Sequence, residues 1–220
     1  PTAVNNVETL ANIPAIIRRG ADWFRKIGNE KCPGTKVFTI LGHVEYPGLI
    51  EVEMGTPLRE IIFSFGGGMK GGKIFKAALL GGAAGVFLSE GLLDVKMDFE
   101  NLKESKAVLG SGAVLVMNEG TSIVDMLFSI VKFFAHESCG QCAPCRIGTQ
   151  QILQIVYRIR QGSGKVGDLE TLLNLAEVMV QSSLCPLGQS LIMPIKSALG
   201  NFHAEFAANL SNLKQINLVK

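Results

Sequence analysis

The chain has 220 residues, 47% apolar and 18% charged, so it can bury a core large enough for one or two domains. Its 21 basic and 19 acidic residues leave a formal charge of +2 without any basic tract, which argues against a nucleic acid as its main ligand. The longest uncharged apolar run, residues 77–88, contains three glycines and falls well short of the roughly 20 residues that span a bilayer, so no transmembrane segment is predicted.

The first predicted elements are helical. Residues 7–19 place apolar side chains at helical spacing, with Pro14 interrupting the stripe and Gly20 ending it. A short amphipathic piece follows at residues 22–27. The motif-dense start at Pro1, which lacks a secretory signal, indicates a piece of a longer protein.

Residues 35–119 predict a small sheet module. Short β-rich runs are separated by Gly-rich turns, and residues 58–65 form one helix of about two turns that a run of glycines terminates. The strands are predicted at residues 37–41, 49–54, 74–80 and 113–117. Two strands, a helix and further strands indicate an α+β module of the β-grasp (ubiquitin-like) kind.

Residues 120–220 predict an antiparallel helical bundle, because apolar stripes of helical spacing alternate with short loops. Ser122 and Asp125 have the spacing of a capping box, and Asp168 is placed as the N-cap of a later helix. The helices are predicted at residues 122–136, 146–160, 169–180, 189–199 and 202–210.

The cysteines carry the strongest chemical signal. Cys139, Cys142 and Cys145 stand three residues apart, and Cys185 lies in a Pro- and Gly-bounded loop further along the chain. A C-x₂-C-x₂-C loop can wrap three corners of a [4Fe–4S] cluster, and a remote cysteine then supplies the fourth thiolate. The odd total of five cysteines indicates a reducing compartment rather than a disulfide framework.

The residues between these cysteines suit such a loop. Gly140 and Gly148 are expected to relax the backbone where it bends toward the sulfurs, and Pro144 and Pro186 to stiffen it. Arg146, next to a ligand, would offset part of the negative charge of a cluster.

Two other readings of the cysteines stay open. A structural zinc site also uses four cysteines, although its ligands usually come as two separated pairs, and the thiols could be unliganded core residues. Cys32 stands alone in a turn before Pro33 and is interpreted as a bystander.

Other candidate sites are weaker. The Gly-rich segment 66–72 could cradle a phosphate with Lys70 or Lys73, but it matches no known phosphate fingerprint and is interpreted as a flexible turn. The histidines are scattered, with one predicted at a helix end; they are His43, His136 and His203. No arrangement for hydrolytic catalysis is identified.

The motifs together resemble a known family. ESCGQCAPCRIGT followed by SSLCPLG is similar to the NADH-oxidising flavoprotein subunit of respiratory complex I and to the diaphorase subunits of NAD(P)-linked hydrogenases and formate dehydrogenases. The opening PTAVNNVETLANIP resembles the same family, and GHVEYPGLIEVEMGTPLREII is similar to its soluble-ligand-binding β-grasp module. The likeness covers nearly the whole chain.

This resemblance implies a role for particular residues. In the family, NADH passes a hydride to FMN, and electrons then leave singly through a [4Fe–4S] cluster. Asn5 and Asn6 would lie at the edge of the flavin pocket, and Pro186 and Leu187 would face the flavin. The implied cluster ligands are Cys139, Cys142, Cys145 and Cys185.

The resemblance also implies an assembly. The family's Gly-rich FMN- and NADH-binding domain precedes this segment, so residues 1–34 would be a linker at its edge, and this chain alone would bind neither FMN nor NADH. The expected function is a one-electron relay to other iron–sulfur subunits of an NADH dehydrogenase, cytoplasmic or peripheral on the inner face of a membrane complex. The alternatives are a zinc-stabilised scaffold without redox activity and an assembly module that loads no metal.

Overall fold

The computed structural model of the protein describes residues 1–211. The helices are α1 (Val7–Arg19), α2 (Ala21–Arg25), α3 (Leu58–Glu60), α4 (Phe99–Glu104), α5 (Ile123–Glu137), α6 (Ala143–Arg160), α7 (Asp168–Ser182), α8 (Pro186–Ser190) and α9 (Ile192–Ala207). The strands are β1 (Thr35–Gly42), β2 (Gly48–Glu53), β3 (Phe75–Leu80), β4 (Val86–Ser89) and β5 (Ala113–Asn118). The last part of the predicted bundle, residues 212–220, lies outside the described residues.

The predicted elements of the first half are present, with three differences. Helix α1 continues through Pro14, so the predicted interruption is wrong. The predicted helix 58–65 changes from α3 to a wider π-helical turn over Ile61–Phe65. The connection between β3 and β5, for which the sequence predicts only a Gly-rich stretch, contains β4 and α4.

The five strands form one sheet in the order β2-β1-β5-β3-β4. β1 and β5 are parallel, with Thr39 opposite Ala113, and the other neighbouring pairs are antiparallel. One face of the sheet covers a core that includes Phe38, Leu58 and Val114. The chain is therefore of the α+β class, as predicted.

The opposite face of the sheet packs against the helices that follow it. Ala77, Phe87 and Met117 from this face share a second core with residues of α5, α6, α7 and α9. At the edge strand β4, the Phe87 N–H donates to Ser197 Oγ at 2.9 Å, and Asn201 Nδ2 donates to the Phe87 carbonyl at 2.7 Å. Helix α9 therefore covers a sheet edge that would otherwise expose unpaired backbone groups.

Helix boundaries in the second half are set partly by tertiary contacts. Ser122 caps α5 as predicted, because its Oγ accepts from the Asp125 N–H at 3.1 Å. Helix α6 begins three residues before the predicted start at Arg146. The predicted helices 189–199 and 202–210 are joined in one helix, α9, which bends at Phe202, and the short helix α8 precedes it. Within residues 1–211, no helix has the length and apolar character needed to cross a bilayer.

Asp168 has a different role from the one predicted. Gly167 precedes α7 with φ +90°, and Asp168 is the first helical residue instead of the N-cap. Its carboxylate is buried and accepts hydrogen bonds from Arg158 Nε at 2.8 Å, from Arg158 Nη2 at 2.6 Å and from the Lys165 N–H at 2.8 Å. Burial by itself raises the pKa of Asp168, but the Arg158 guanidinium and the Lys165 N–H outweigh it and lower that pKa.

The Asp168→Asn variant should lose about 2 kcal/mol of unfolding free energy at pH 7, because Arg158 loses its charged partner. A carboxyl whose pKa is lowered by folding stabilises fully above its unfolded value of about 4, and this contribution disappears as pH falls through the lower folded value. Denaturant unfolding at pH 7 and pH 3 should therefore show the gap between wild type and variant narrowing in acid. The control variant Asp94→Asn removes an exposed ion pair with Arg59, so its unfolding free energy should change little. If the difference in unfolding free energy between the wild type and Asp168→Asn stays constant with pH, the Asp168–Arg158 pair is not its cause.

Candidate metal centre

Cys142 and Cys185 occupy equivalent positions at two helix starts. Cys142 is the N-cap of α6, with Pro144 in the first turn, and Cys185 is the N-cap of α8, with Pro186 as the first helical residue. Proline suits this position because its missing N–H would have no helical partner there. Cys145 lies in the first turn of α6, where the positive end of the helix dipole favours a thiolate.

The loops that carry Cys142 and Cys185 contact each other. The pKa of the Cys142 thiol is lowered, first by the nearby backbone N–H groups of Leu184 and Cys145 and to a smaller extent by the Arg146 charge. Leu184 directly precedes Cys185 in the chain. The tertiary structure thus joins the CxxCxxC segment to the remote cysteine loop.

The four thiols differ in their surroundings. Cys145 is buried, and its sulfur lies 3.3 Å from Ser138 Oγ, within the range of a hydrogen bond. Cys139 and Cys185 are exposed, and Cys142 is intermediate. Within residues 1–211, no group of three or more His, Cys, Asp or Glu side chains is arranged so that it could hold a metal ion. The structure of residues 1–211 therefore brings the two loops into contact beside Cys145 without gathering three of the thiols around one ion.

Helix α8 closes against α6 through a glycine. A Cβ built at Gly188 would lie 2.4 Å from Ser183 Oγ and 3.1 Å from the Cβ of Cys145, so only glycine permits this approach. Ser183 is buried, and its hydroxyl has no hydrogen-bond partner among residues 1–211. A buried hydroxyl beside Cys145 that has no partner among the described residues fits a bound group rich in sulfur acceptors.

The predictions for the loop glycines have different outcomes. Gly140 adopts φ +78°, as expected for a bend between cysteines, and its carbonyl accepts a hydrogen bond from Arg146. The prediction for Gly148 is wrong, because this residue lies inside α6, where no bend occurs. A Cβ there would lie 2.5 Å from Met179 Sδ, so Gly148 serves the close packing of α6 on α7.

The residues expected at the flavin edge lie in two separate elements. Asn6 is the N-cap of α1, and its Oδ1 accepts from the Glu8 and Thr9 N–H groups at 2.9 and 3.1 Å. Asn5 precedes it and is exposed. Pro186 and Leu187 open α8, where Leu187 packs partly against the helical core.

The other candidates from the sequence, which are Cys32, the Gly-rich segment and the histidines, lie away from the two cysteine loops or at a helix end. Cys32 lies in the core of the sheet module, so it is more than a turn residue, and its N–H donates to Asn29 Oδ1 at 2.8 Å. In the Gly-rich segment, the Lys70 N–H donates to the His43 carbonyl at 3.0 Å, which joins this segment to the turn after β1. His136 lies in the last turn of α5, as predicted.

Sequence reasoning missed three residues of this site. They are Ser138, Ser183 and Gly188. Ser138 and Ser183 stand one and two residues before a cysteine, and Gly188 stands three after one. Their only sequence signal is this proximity, and it became informative once the two loops were in contact.

Family models match both halves of the chain. Residues 125–209 match the "NADH-ubiquinone oxidoreductase-F iron-sulfur binding region", and residues 37–84 match the SLBB domain. The first match contains all four cysteines of the CxxCxxC segment and the remote loop.

Several curated proteins are similar over nearly all of this chain. The NADP-reducing hydrogenase subunit HndC of Solidesulfovibrio fructosivorans is 46% identical over 214 residues, which is 97% of this chain and 44% of HndC. The F 2 subunit of NADH-quinone oxidoreductase in Rhizobium meliloti (strain 1021) is 42% identical, over 96% of this chain and 50% of that protein. The F subunit of the same oxidoreductase in Rickettsia typhi (strain ATCC VR-144 / Wilmington) is 41% identical, over 96% and 51%. The chain thus spans about half the length of the curated relatives it matches.

A solved structure has the same fold. The NAD+-reducing [NiFe]-hydrogenase in the air-oxidized state matches with a TM-score of 0.85 and 33% identity, over 96% of this chain and 36% of that one.

Proposed function

Because the chain is a homologue of the F subunits of NADH-quinone oxidoreductase and of the hydrogenase protein HndC, and carries their iron–sulfur binding region, we propose that it is the electron-relay part of an NADH:acceptor oxidoreductase. In this proposal, electrons pass singly from FMN through a [4Fe–4S] cluster to a partner subunit. The observation that carries it is the close approach of the two cysteine loops at Gly188, where only glycine fits between Ser183, two residues before Cys185, and the Cβ of Cys145.

The proposed cluster ligands are the four thiolates of Cys139, Cys142, Cys145 and Cys185. A bound cluster supplies reversible one-electron transfer. Each thiolate of such a cluster binds a different iron atom, so the four sulfurs need not stand as close together as the ligands of one ion. The α6 N-terminus and the backbone N–H groups around Cys142 favour thiolates, and Ser138 adds a hydrogen-bond donor beside Cys145.

We further assign the architecture of three regions. The strand order and the parallel β1–β5 pair support a β-grasp module over residues 35–119. The core that α5, α6, α7 and α9 share with one face of the sheet supports a helical bundle, proposed over residues 120–220, of which the structure describes residues 120–211. Residues 1–34 form a linker at the edge of an FMN- and NADH-binding domain. That domain would supply the flavin and the nucleotide, so this chain alone is not catalytic.

The exposed apolar face of α1 supports this docking. Val7 and Ile17 are 79% and 78% exposed, although their spacing is that of a helix with a buried face. The Glu8 carboxylate anchors the helix to β1, where it pairs with Lys36 and accepts from the Val37 N–H at 2.8 Å. We propose that the flavin domain covers this face and meets the flavin-edge residues, which are Asn5, Asn6, Pro186 and Leu187.

The remaining parts of the proposal concern the assembly. The relay passes electrons to other iron–sulfur subunits of the same complex. The free cysteines are typical of a reducing compartment, so we place the chain in the cytoplasm or at the inner face of a membrane complex. The names of the relatives, NADH-quinone oxidoreductase and NADP-reducing hydrogenase, support a place in a multi-subunit redox enzyme.

Anaerobic reconstitution of the chain with iron and sulfide tests the proposal. We expect about four iron and four acid-labile sulfide per chain, and a coloured sample that dithionite bleaches. Failure to retain iron in repeated trials would reject the proposal. Retention of one zinc by a colourless sample would instead support a zinc-stabilised scaffold.

A further inference from the structure

Ser183 is the one residue near the cysteine loops whose buried polar atom lacks a partner within residues 1–211. Its backbone is fully used: the N–H donates to the Met179 carbonyl at 3.0 Å, and the carbonyl accepts from Gln189 Nε2 at 2.8 Å. The side chain is 6% exposed, and its hydroxyl makes no hydrogen bond. Leaving a buried hydroxyl unpaired is unfavourable, so a partner is expected in the functional state.

The hydroxyl lies on the cluster side of this loop. Ser183 stands two residues before Cys185, and its Oγ faces the same point beside Gly188 as the Cβ of Cys145. Cys145 therefore lies close to this hydroxyl in space, and Cys185 lies two residues from it along the chain.

We propose that Ser183 Oγ–H donates a hydrogen bond to a sulfur of the bound cluster and raises the cluster's reduction potential. This inference rests on the proposed function. Reduction adds negative charge to the cluster, and a hydrogen bond to sulfur stabilises the more negative state. Ser183 thus acts as a tuning residue, and Ser138 is a second donor that already contacts Cys145.

The test is the Ser183→Ala variant of the full 220-residue chain, reconstituted as above and titrated under electron paramagnetic resonance. Alanine removes the donor and leaves little empty space. We expect full iron content and a reduction equilibrium constant about tenfold less favourable, which corresponds to a midpoint about 59 mV lower for a one-electron couple. An exchangeable proton coupled to the reduced cluster, seen by electron–nuclear double resonance after transfer to D₂O, should also be lost.

The matched control is Ser182→Ala. Ser182 is the adjacent residue, exposed, and its Oγ donates to the Val178 carbonyl at 2.5 Å. The control variant should keep the wild-type midpoint and proton coupling. If Ser183→Ala also keeps both with full iron content, the inference is wrong and the proposed function stands. If the wild type itself loads no iron, the proposed function fails and the inference with it.

Unfolding of the metal-free chain gives a readout that needs no cluster. Because the Ser183 hydroxyl has no protein partner within residues 1–211, Ser183→Ala should melt at the wild-type temperature or above it. A clearly lower melting temperature would mean that the hydroxyl bonds to another protein group, which would also overturn the inference.

Discussion

The Cys185→Ser variant should lose the cluster and loosen the contact between the two cysteine loops. Removing a hydrogen-bond partner of a metal ligand typically costs about 10–100-fold in affinity, so removing a ligand should lower iron affinity at least about tenfold. The loss should be large here because Cys185 is the one proposed ligand outside the CxxCxxC segment, and it alone would connect the α7–α8 loop to α6 through the cluster.

Iron and sulfide content after desalting measures this effect directly. Thermal unfolding measures its structural consequence, because a group that binds only the folded chain raises stability by mass action. The wild-type melting temperature should therefore rise on reconstitution, and that of Cys185→Ser should not.

The matched control is Cys32→Ala. Cys32 lies in the core of the sheet module, apart from the helical core to which α6 and α7 contribute. Its loss should cost some stability by leaving a small cavity but should leave the iron content at the wild-type level. Equal iron in wild type and Cys185→Ser would show that the ligand assignment is wrong.

The Gly188→Ala variant should have the second-largest effect. The added methyl group would meet Ser183 Oγ at 2.4 Å and the Cβ of Cys145 at 3.1 Å, so α8 must move away from α6. Overpacking of this kind costs about 1–3 kcal/mol of unfolding free energy. Because α8 begins at Cys185, its displacement should also reduce iron retention.

The Gly200→Ala variant, at another helical glycine, should have the opposite effect on stability. Gly200 lies within α9, and a Cβ there meets nothing within 4 Å. Alanine is favoured over glycine in a helix interior by about 1 kcal/mol, so this variant should be more stable than the wild type. Denaturant unfolding of both variants measures this difference. A Gly188→Ala variant that is as stable as the wild type, or more stable, would contradict the packing argument.

Part of this fold could be predicted from local sequence. Residues 7–19 were predicted as a helix with the bounds that α1 has, because capping by Asn6 and termination at Gly20 are local events. The strands around Phe38 and Val114 were predicted because β-branched and aromatic residues cluster there between glycines. The sequence does not predict strand β4, because four residues at the end of a continuous apolar run show no alternation of apolar and polar side chains that would distinguish a strand from a helix.

Other features depend on contacts between distant residues. Asp168 was predicted as an N-cap from its position, but Arg158, ten residues away, pairs with its carboxylate. Gly148 was interpreted as a loop glycine, and its actual role depends on Met179 of the facing helix. No window of sequence around either residue contains the partner that decides its role.

The amino-acid sequence by itself determined the α+β class, the positions of most helices and strands, and the cysteine spacing that indicates an iron–sulfur site. These follow from hydrophobic period, glycine and proline placement, and ligand spacing, which all act within short stretches of chain. Only the tertiary structure decided that Gly188 lets α8 approach Cys145 and that, within residues 1–211, the Ser183 hydroxyl is buried without a partner. These contacts arise from the packing of α8 against α6 and α7, and packing joins residues that local periodicity cannot relate.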